Sequence, residues 1–172
     1  MTLIDVALVV CTALDEAGTK AVLTGGGAAT AYAPKSYESQ DLDYVITFGG
    51  GRPAVEALAD LGFETRPEKH YTHPGTRFTV EFPPGPLAVG DDFITSWDTL
   101  RRGDLLLHII TPTDSVRDRL SAYLHWNDLG SLEVALAVAK AQRDRIDLAL
   151  VEDWCRREGA ADKFELFRRR LG

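Results

Sequence analysis

Residues Ala21–Ile46 read AVLTGGGAATAYAPKSYESQDLDYVI, and this stretch decides the fold. Val22 and Leu23 are apolar and strand-favouring, and Gly25, Gly26 and Gly27 allow a sharp turn and a close approach of backbone to a ligand. Small residues from Ala28 to Ala33 suit a short helix that Pro34 ends. After a polar loop, Gln40–Ile46 reads as a second strand. Side chains alternate on a strand, so Asp41, Asp43 and Val45 share one face while Leu42, Tyr44 and Ile46 share the other. Aspartate is a poor strand residue. Two on one face repel and raise each other's pKa unless a cation holds them ionised, and a hard divalent ion, Mg²⁺ or Mn²⁺, fits oxygen ligands of this kind.

Commoner glycine motifs do not fit. A phosphate-binding P-loop ends in Gly-Lys-Ser/Thr, which is missing, and the dinucleotide fingerprint needs a glycine where Thr30 stands. The order strand, glycine turn, helix, then Asp-x-Asp on the next strand resembles the nucleotidyltransferase superfamily, with its polymerase-β-like fold. Within it, Gly25-Gly26-Gly27-Ala28 and Ser39-Gln40-Asp41-Leu42-Asp43 are similar to the abortive-infection and toxin–antitoxin branch. The resemblance asks for a third carboxylate on a later strand. Thr76–Phe82, TRFTVEF, alternates Phe78, Val80 and Phe82 against Arg77, Thr79 and Glu81, so Glu81 stands where that carboxylate is required.

The resemblance implies an α/β (α+β) fold: a mixed sheet flanked by helices over residues 1–112, then a C-terminal helical bundle over 113–172 packed on that core. It implies Mg²⁺-dependent transfer of a nucleoside monophosphate from an NTP such as ATP to an acceptor hydroxyl on RNA (a tRNA end), protein or a small molecule, releasing pyrophosphate. Asp41, Asp43 and Glu81 would hold one ion, and Asp41 and Asp43 would share a second. Gly25, Gly26, Gly27, Thr24 and Lys140 would meet the nucleotide. One departure stands out. Many members carry Ser or Thr directly after the glycine pair; here that place is Gly27, so a side-chain hydroxyl would have to come from Thr24 or Thr30.

The second half adds DRLSAYLHWND and LALVEDWCRREG, which resemble a group of bacterial nucleotidyltransferase-like proteins. Two other readings stay open. One is a catalytically weak binding or regulatory protein of this fold, such as a toxin–antitoxin component with a partner protein; the other is an unrelated α/β protein whose acidic strand binds a structural ion.

Composition bounds these readings. At 172 residues and 45% hydrophobic, the chain can bury a sizeable core. Its two cysteines, Cys11 and Cys155, lack metal-binding spacing and read as buried thiols in a reducing compartment. With no basic region leading an apolar run at the N-terminus and no membrane-spanning stretch, a cytoplasmic protein is expected. Residues 1–112 carry the whole net charge of −7, whereas 113–172 are neutral. An acidic catalytic half argues against tight, sequence-independent duplex binding.

The rest of the chain reads as follows. Thr2 and Asp5 have capping-box spacing at the head of a helix reaching Ala17. Gly49-Gly50-Gly51 is a turn before Pro53 and a helix over Ala54–Leu61, and Phe63–Arg66 begins a strand. His70 and His73 are too few for zinc and read as part of a solvated loop, and Lys69 and Arg77 read as solvated charges or groups facing the site. The stretch from Pro83 to Trp97 is irregular, with Asp91-Asp92 at a cap or turn. Leu105–Ile110 is a buried strand carrying a core histidine, His108. Thr113 or Asp114 caps the first of four C-terminal helices, which carry Arg119, His125, Asp128 and Lys140.

Overall fold

The computed structural model describes residues 1–172. The first helix, α1 (Leu3–Glu16), begins with the expected capping box: Thr2 accepts from the Asp5 N–H, and Asp5 accepts from the Thr2 N–H. The strands follow as β1 (Thr19–Thr24), β2 (Asp41–Gly49), β3 (Glu64–Thr65), β4 (Tyr71–Thr72), β5 (Thr79–Glu81), β6 (Ala88–Val89), β7 (Asp92–Phe93), β8 (Asp98–Arg102) and β9 (Leu105–Ile109). Between them lie α2 (Gly25–Tyr32) and α3 (Ala54–Asp60). The C-terminal helices are α4 (Pro112–Trp126), α5 (Leu129–Ala141), α6 (Leu148–Arg157) and α7 (Ala161–Leu171).

Seven strands form one mixed sheet in the order β3-β4-β5-β2-β1-β9-β8, and β6 and β7 form a separate hairpin. Two pairings place the chemistry. β1 runs antiparallel to β2, with Thr24 opposite Asp43. β2 runs parallel to β5, with Asp41 opposite Thr79, Leu42 opposite Val80 and Asp43 opposite Glu81. The apolar face is covered by helices: Leu42 meets the start of α2, and the buried Tyr44 hydroxyl donates to the Ala7 carbonyl of α1 at 2.8 Å. The period of two therefore turns Asp41, Asp43, Thr79 and Glu81 to the opposite face. Val45 shares that face but is buried, with Gly85 of the proline-rich segment beside it.

Several elements depart from the sequence reading. The three glycines form the first turn of α2 itself rather than a loop ahead of it. β2 runs on to Gly49 past an irregularity between the Ala21–Ile46 and Lys20–Phe48 pairs, and Ile46, although in register with Tyr44, is exposed. Thr111, not Thr113 or Asp114, caps α4 by accepting from the Asp114 N–H, with Pro112 in the first turn. Asp91 stands in the β6–β7 turn, as expected, but Asp92 does more than close it: it accepts from the buried Arg117 and from Arg157, tying the β6–β7 hairpin to α4 and α6. β8 was missed, although Gly103-Asp104 between two runs is a hairpin signal.

One continuous core joins the two halves, with Leu14, Leu23, Tyr44 and Ile109 from the first and Val116, Leu136, Trp154 and Phe167 from the second. The C-terminal helices reach the sheet through α2, against which α4 and α5 pack, rather than lying on the strands. Cys11 and Cys155 are both free and buried, and burial pushes their thiols up to about 11 and about 12. His108 is buried, with Nδ1 at 2.8 Å from the Thr99 hydroxyl and Nε2 at 3.2 Å from Asp15. No helix is long and apolar enough to cross a membrane.

The second glycine run is explained by close approach. A Cβ on Gly51 would lie 1.9 Å from the Ala17 carbonyl oxygen at the end of α1, whereas one on Gly50 would meet only the exposed Phe48 ring. Gly51→Ala is expected to destabilise the fold by roughly 3 kcal/mol and Gly50→Ala by under about 1 kcal/mol, read from urea midpoints. Equal effects would contradict this packing.

Candidate active site

The candidate site forms where β1 ends, α2 begins and β2 lies beside β5. Gly25, with φ +63°, turns the chain from strand into helix at a place where a side chain would meet the Asp43 carboxylate, 2.7 Å from its oxygen. Thr24, the residue before α2, does not cap it; its hydroxyl donates to the Asp43 carbonyl at 3.2 Å. The first backbone N–H groups of α2 are thus left without a side-chain cap, directly beside Asp43.

Each of the three carboxylates meets its surroundings differently. Burial raises the pKa of Asp43 to about 6, with the charges of Glu81 and then Asp41 adding to the rise, while Arg119 of α4 opposes it. Asp41 accepts a short hydrogen bond from the Thr79 hydroxyl. Glu81 lies 2.5 Å from Nδ1 of His70, whose Nε2 is 3.6 Å from Glu68. His70 is therefore not part of a plain solvated loop: the antiparallel pairing of Tyr71 with Val80 brings it across from Glu81. Nothing in the spacing of residues 70 and 81 announces this contact without that register. His73 turns elsewhere, accepting from the Gly75 N–H and packing on Phe63.

Three carboxylates and a hydroxyl on one sheet face are an all-oxygen donor set, and burial together with the charges of Glu81 and Asp41 outweighs Arg119 in raising the pKa of Asp43. That chemistry fits a divalent ion. As the side chains stand, with Glu81 turned to His70, no three His, Cys, Asp or Glu groups converge at metal-holding spacing.

The remaining sequence-derived residues separate. Arg119 is half-buried, pairs with Asp118 at 2.7 Å and lines a cavity of about 480 Å³ together with Ser36, Tyr37, Asp128, Ser131 and Glu133. Lys140 is exposed and lines a neighbouring cavity with Lys35 at the C-terminal end of α2, not the one that Arg119 lines. His125 pairs with Glu158, Asp128 caps α5, and Arg77 pairs with Glu38. A side chain at Gly27 would point at Leu23 and Leu42 and lie 3.2 Å from the Asp41 carbonyl oxygen. Position 27 thus faces the core, and its lack of a hydroxyl removes nothing from the cleft. Thr30 is no substitute, because its hydroxyl donates to the Gly26 carbonyl and accepts from the Ser39 N–H.

No family model matches the sequence, and no curated protein matches it. Solved structures do match. An antigenic nucleotidyltransferase-like protein from Paracoccidioides brasiliensis is 17% identical with a TM-score of 0.56, over 87% of this chain and 91% of that one. The antibiotic-resistance factor ANT(2'')-Ia is 13% identical with a TM-score of 0.55, over 98% of this chain and 100% of that one. At these identities the likeness is one of fold. The chain has the fold of the nucleotidyltransferase superfamily, a mixed seven-stranded sheet with seven helices.

The Asp43 shift has a thermodynamic consequence. Its folded pKa of about 6 lies above the unfolded value, so the folded chain holds this proton more tightly. The stabilisation is complete below about pH 4 and is lost as pH rises through about 6. Wild type and Asp43→Asn should therefore melt together near pH 4, and the variant should melt higher by a few degrees near pH 7.5. A melting difference independent of pH would contradict the assignment.

Proposed function

We propose, from the nucleotidyltransferase fold of this chain, that it transfers a nucleoside monophosphate from an NTP to an acceptor hydroxyl in a reaction dependent on Mg²⁺ or Mn²⁺. The acceptor oxygen forms a bond to the α-phosphorus, the α–β anhydride bond breaks, pyrophosphate departs and the hydroxyl proton is released. The observation that carries this reading is the β2–β5 register, which sets Asp41 and Asp43 beside Thr79 and Glu81 at the uncapped start of α2. Structural neighbours that are nucleotidyltransferase-like support the same chemistry at that coarse level.

When bound, the divalent ion supplies Lewis-acid polarisation and neutralises charge on the transferring phosphoryl group. Asp41, Asp43 and Glu81 are the residues that would hold it. Thr79 fixes one Asp41 oxygen, and Thr24 anchors the Asp43 backbone instead of touching a phosphate. The free N–H groups at Gly25–Gly27, at the positive end of α2, would receive phosphate oxygens. Arg119 lies within electrostatic reach and lowers the cost of charge at Asp43.

The cavity beside Arg119 carries Asp128 and Glu133 against one arginine that is already paired, so it offers no cationic track for a duplex. A small molecule, a protein hydroxyl or a tRNA end stays within the acceptor class. A second reading, a catalytically weak binding or regulatory protein such as a toxin–antitoxin component, is favoured by one observation: Glu81 is tied to His70 and the carboxylates do not converge.

Thermal unfolding with each of the four NTPs, with and without Mg²⁺, separates the two. A ligand at 100 times its dissociation constant adds about 2.7 kcal/mol, several degrees for a chain of this size. The transferase reading expects a Mg²⁺-dependent rise that Asp43→Ala abolishes, together with loss of pyrophosphate release in that variant. A wild-type protein that no NTP stabilises would turn the assignment to the second reading.

A further inference from the structure

We propose that the hydroxyls of Tyr37 and Ser39 are the side-chain donors that bind the nucleotide's phosphate groups at the start of α2. The inference rests on the transferase reading above and adds to it the residues that hold the anion. Position 27 points into the core, the Thr24 hydroxyl is given to the Asp43 carbonyl, and the Thr30 hydroxyl to the Gly26 carbonyl. None of the three donors suggested by the resemblance is free.

Two other hydroxyls stand at the same place. A Cβ on Gly26 would lie 2.8 Å from Ser39 Oγ and 2.9 Å from the Tyr37 phenol oxygen, so the absent side chain leaves room that these two groups border. Ser39 is only 9% exposed; its oxygen accepts from the Asp41 N–H at 3.2 Å, and its own hydrogen has no acceptor in the protein. The Ser39 hydroxyl thus keeps a proton to donate beside N–H groups of a helix start that no side chain caps, and one arriving acceptor can take both. The Tyr37 hydroxyl has no hydrogen-bond partner within the chain, and the residue lines the Arg119 cavity, so its phenol joins the helix start to that cleft. The loop that carries both residues is closed onto α2 by Ser39 N–H donating to Thr30 at 2.8 Å.

The charge balance favours hydroxyls here. Arg119 is already paired with Asp118, and Lys140 lines the adjacent cavity. Neutral donors bind a phosphate oxygen without adding a cation that would compete with the divalent ion for Asp41 and Asp43. The ligand chemistry is therefore an inorganic or nucleotide polyphosphate, held by backbone N–H groups and two hydroxyls.

The test is calorimetric titration of inorganic tripolyphosphate, and separately of an NTP, each with Mg²⁺, into wild type, Tyr37→Phe, Ser39→Ala and Ser39→Thr. Tyr37→Phe removes only an oxygen from a half-exposed ring, so it reports even if Ser39→Ala disturbs the loop. The proposal expects both deletions to weaken both ligands roughly ten-fold or more, the conservative Ser39→Thr, which keeps the hydroxyl, to retain affinity, and the free Tyr37→Phe protein to melt like wild type. Wild-type binding that Tyr37→Phe and Ser39→Ala leave unchanged would overturn the proposal while leaving the transferase reading intact. A folded wild type that binds neither ligand would overturn both.

Discussion

The parallel pairing of β2 with β5 sets Asp43 directly opposite Glu81, and the site depends on that register. Like charges across a strand pair are unfavourable, and the sheet tolerates them because the alternate residues of the same two strands form a strongly apolar face. Leu42, Tyr44 and Val80 are fully buried, and a slip of one residue would expose them while burying the carboxylates. Core packing thus dictates the register, and the register imposes the electrostatic conflict. Each carboxylate is relieved in its own way: Asp43 by holding its proton more tightly, Asp41 by Thr79, and Glu81 by His70. A divalent ion would replace all three remedies with one.

The remaining architecture positions donors around that conflict. α2 begins at the end of β1 next to Asp43, and its uncapped N–H groups face the same cleft. α4 packs on α2, which brings Arg119 within electrostatic reach of Asp43 and builds one wall of the cavity. The helical half is therefore part of the site and shares its core, although its composition changes near Thr113.

Much of this was legible in the sequence because it rests on local rules. Alternation along residues 41–44 and 77–81 placed the polar and apolar faces of β2 and β5, although Val45 and Ile46 depart from it, and the Thr2–Asp5 spacing gave the first cap. What escaped depended on long-range register or on side-chain direction. His70 meets Glu81 only through β4, a two-residue strand too short to leave a periodic signal. The hydroxyl missing at Gly27 looked like a lost phosphate contact, but helix geometry turns that position toward Leu23 and Leu42. Lys140 sits on an apolar stripe, and only the packing of α5 on α2 decides that it emerges at the far end of α2 from the glycines.

The central claim is that Asp41, Asp43 and Glu81 form one seat for a divalent ion. Anomalous diffraction from crystals grown with Mn²⁺ and a non-hydrolysable NTP analogue tests it directly. The account predicts a Mn²⁺ peak within ligand distance of Asp41 and Asp43, with Glu81 released from His70 and turned toward the ion. A well-ordered analogue in the cleft with no Mn²⁺ on these carboxylates, and Glu81 still on His70, would contradict it.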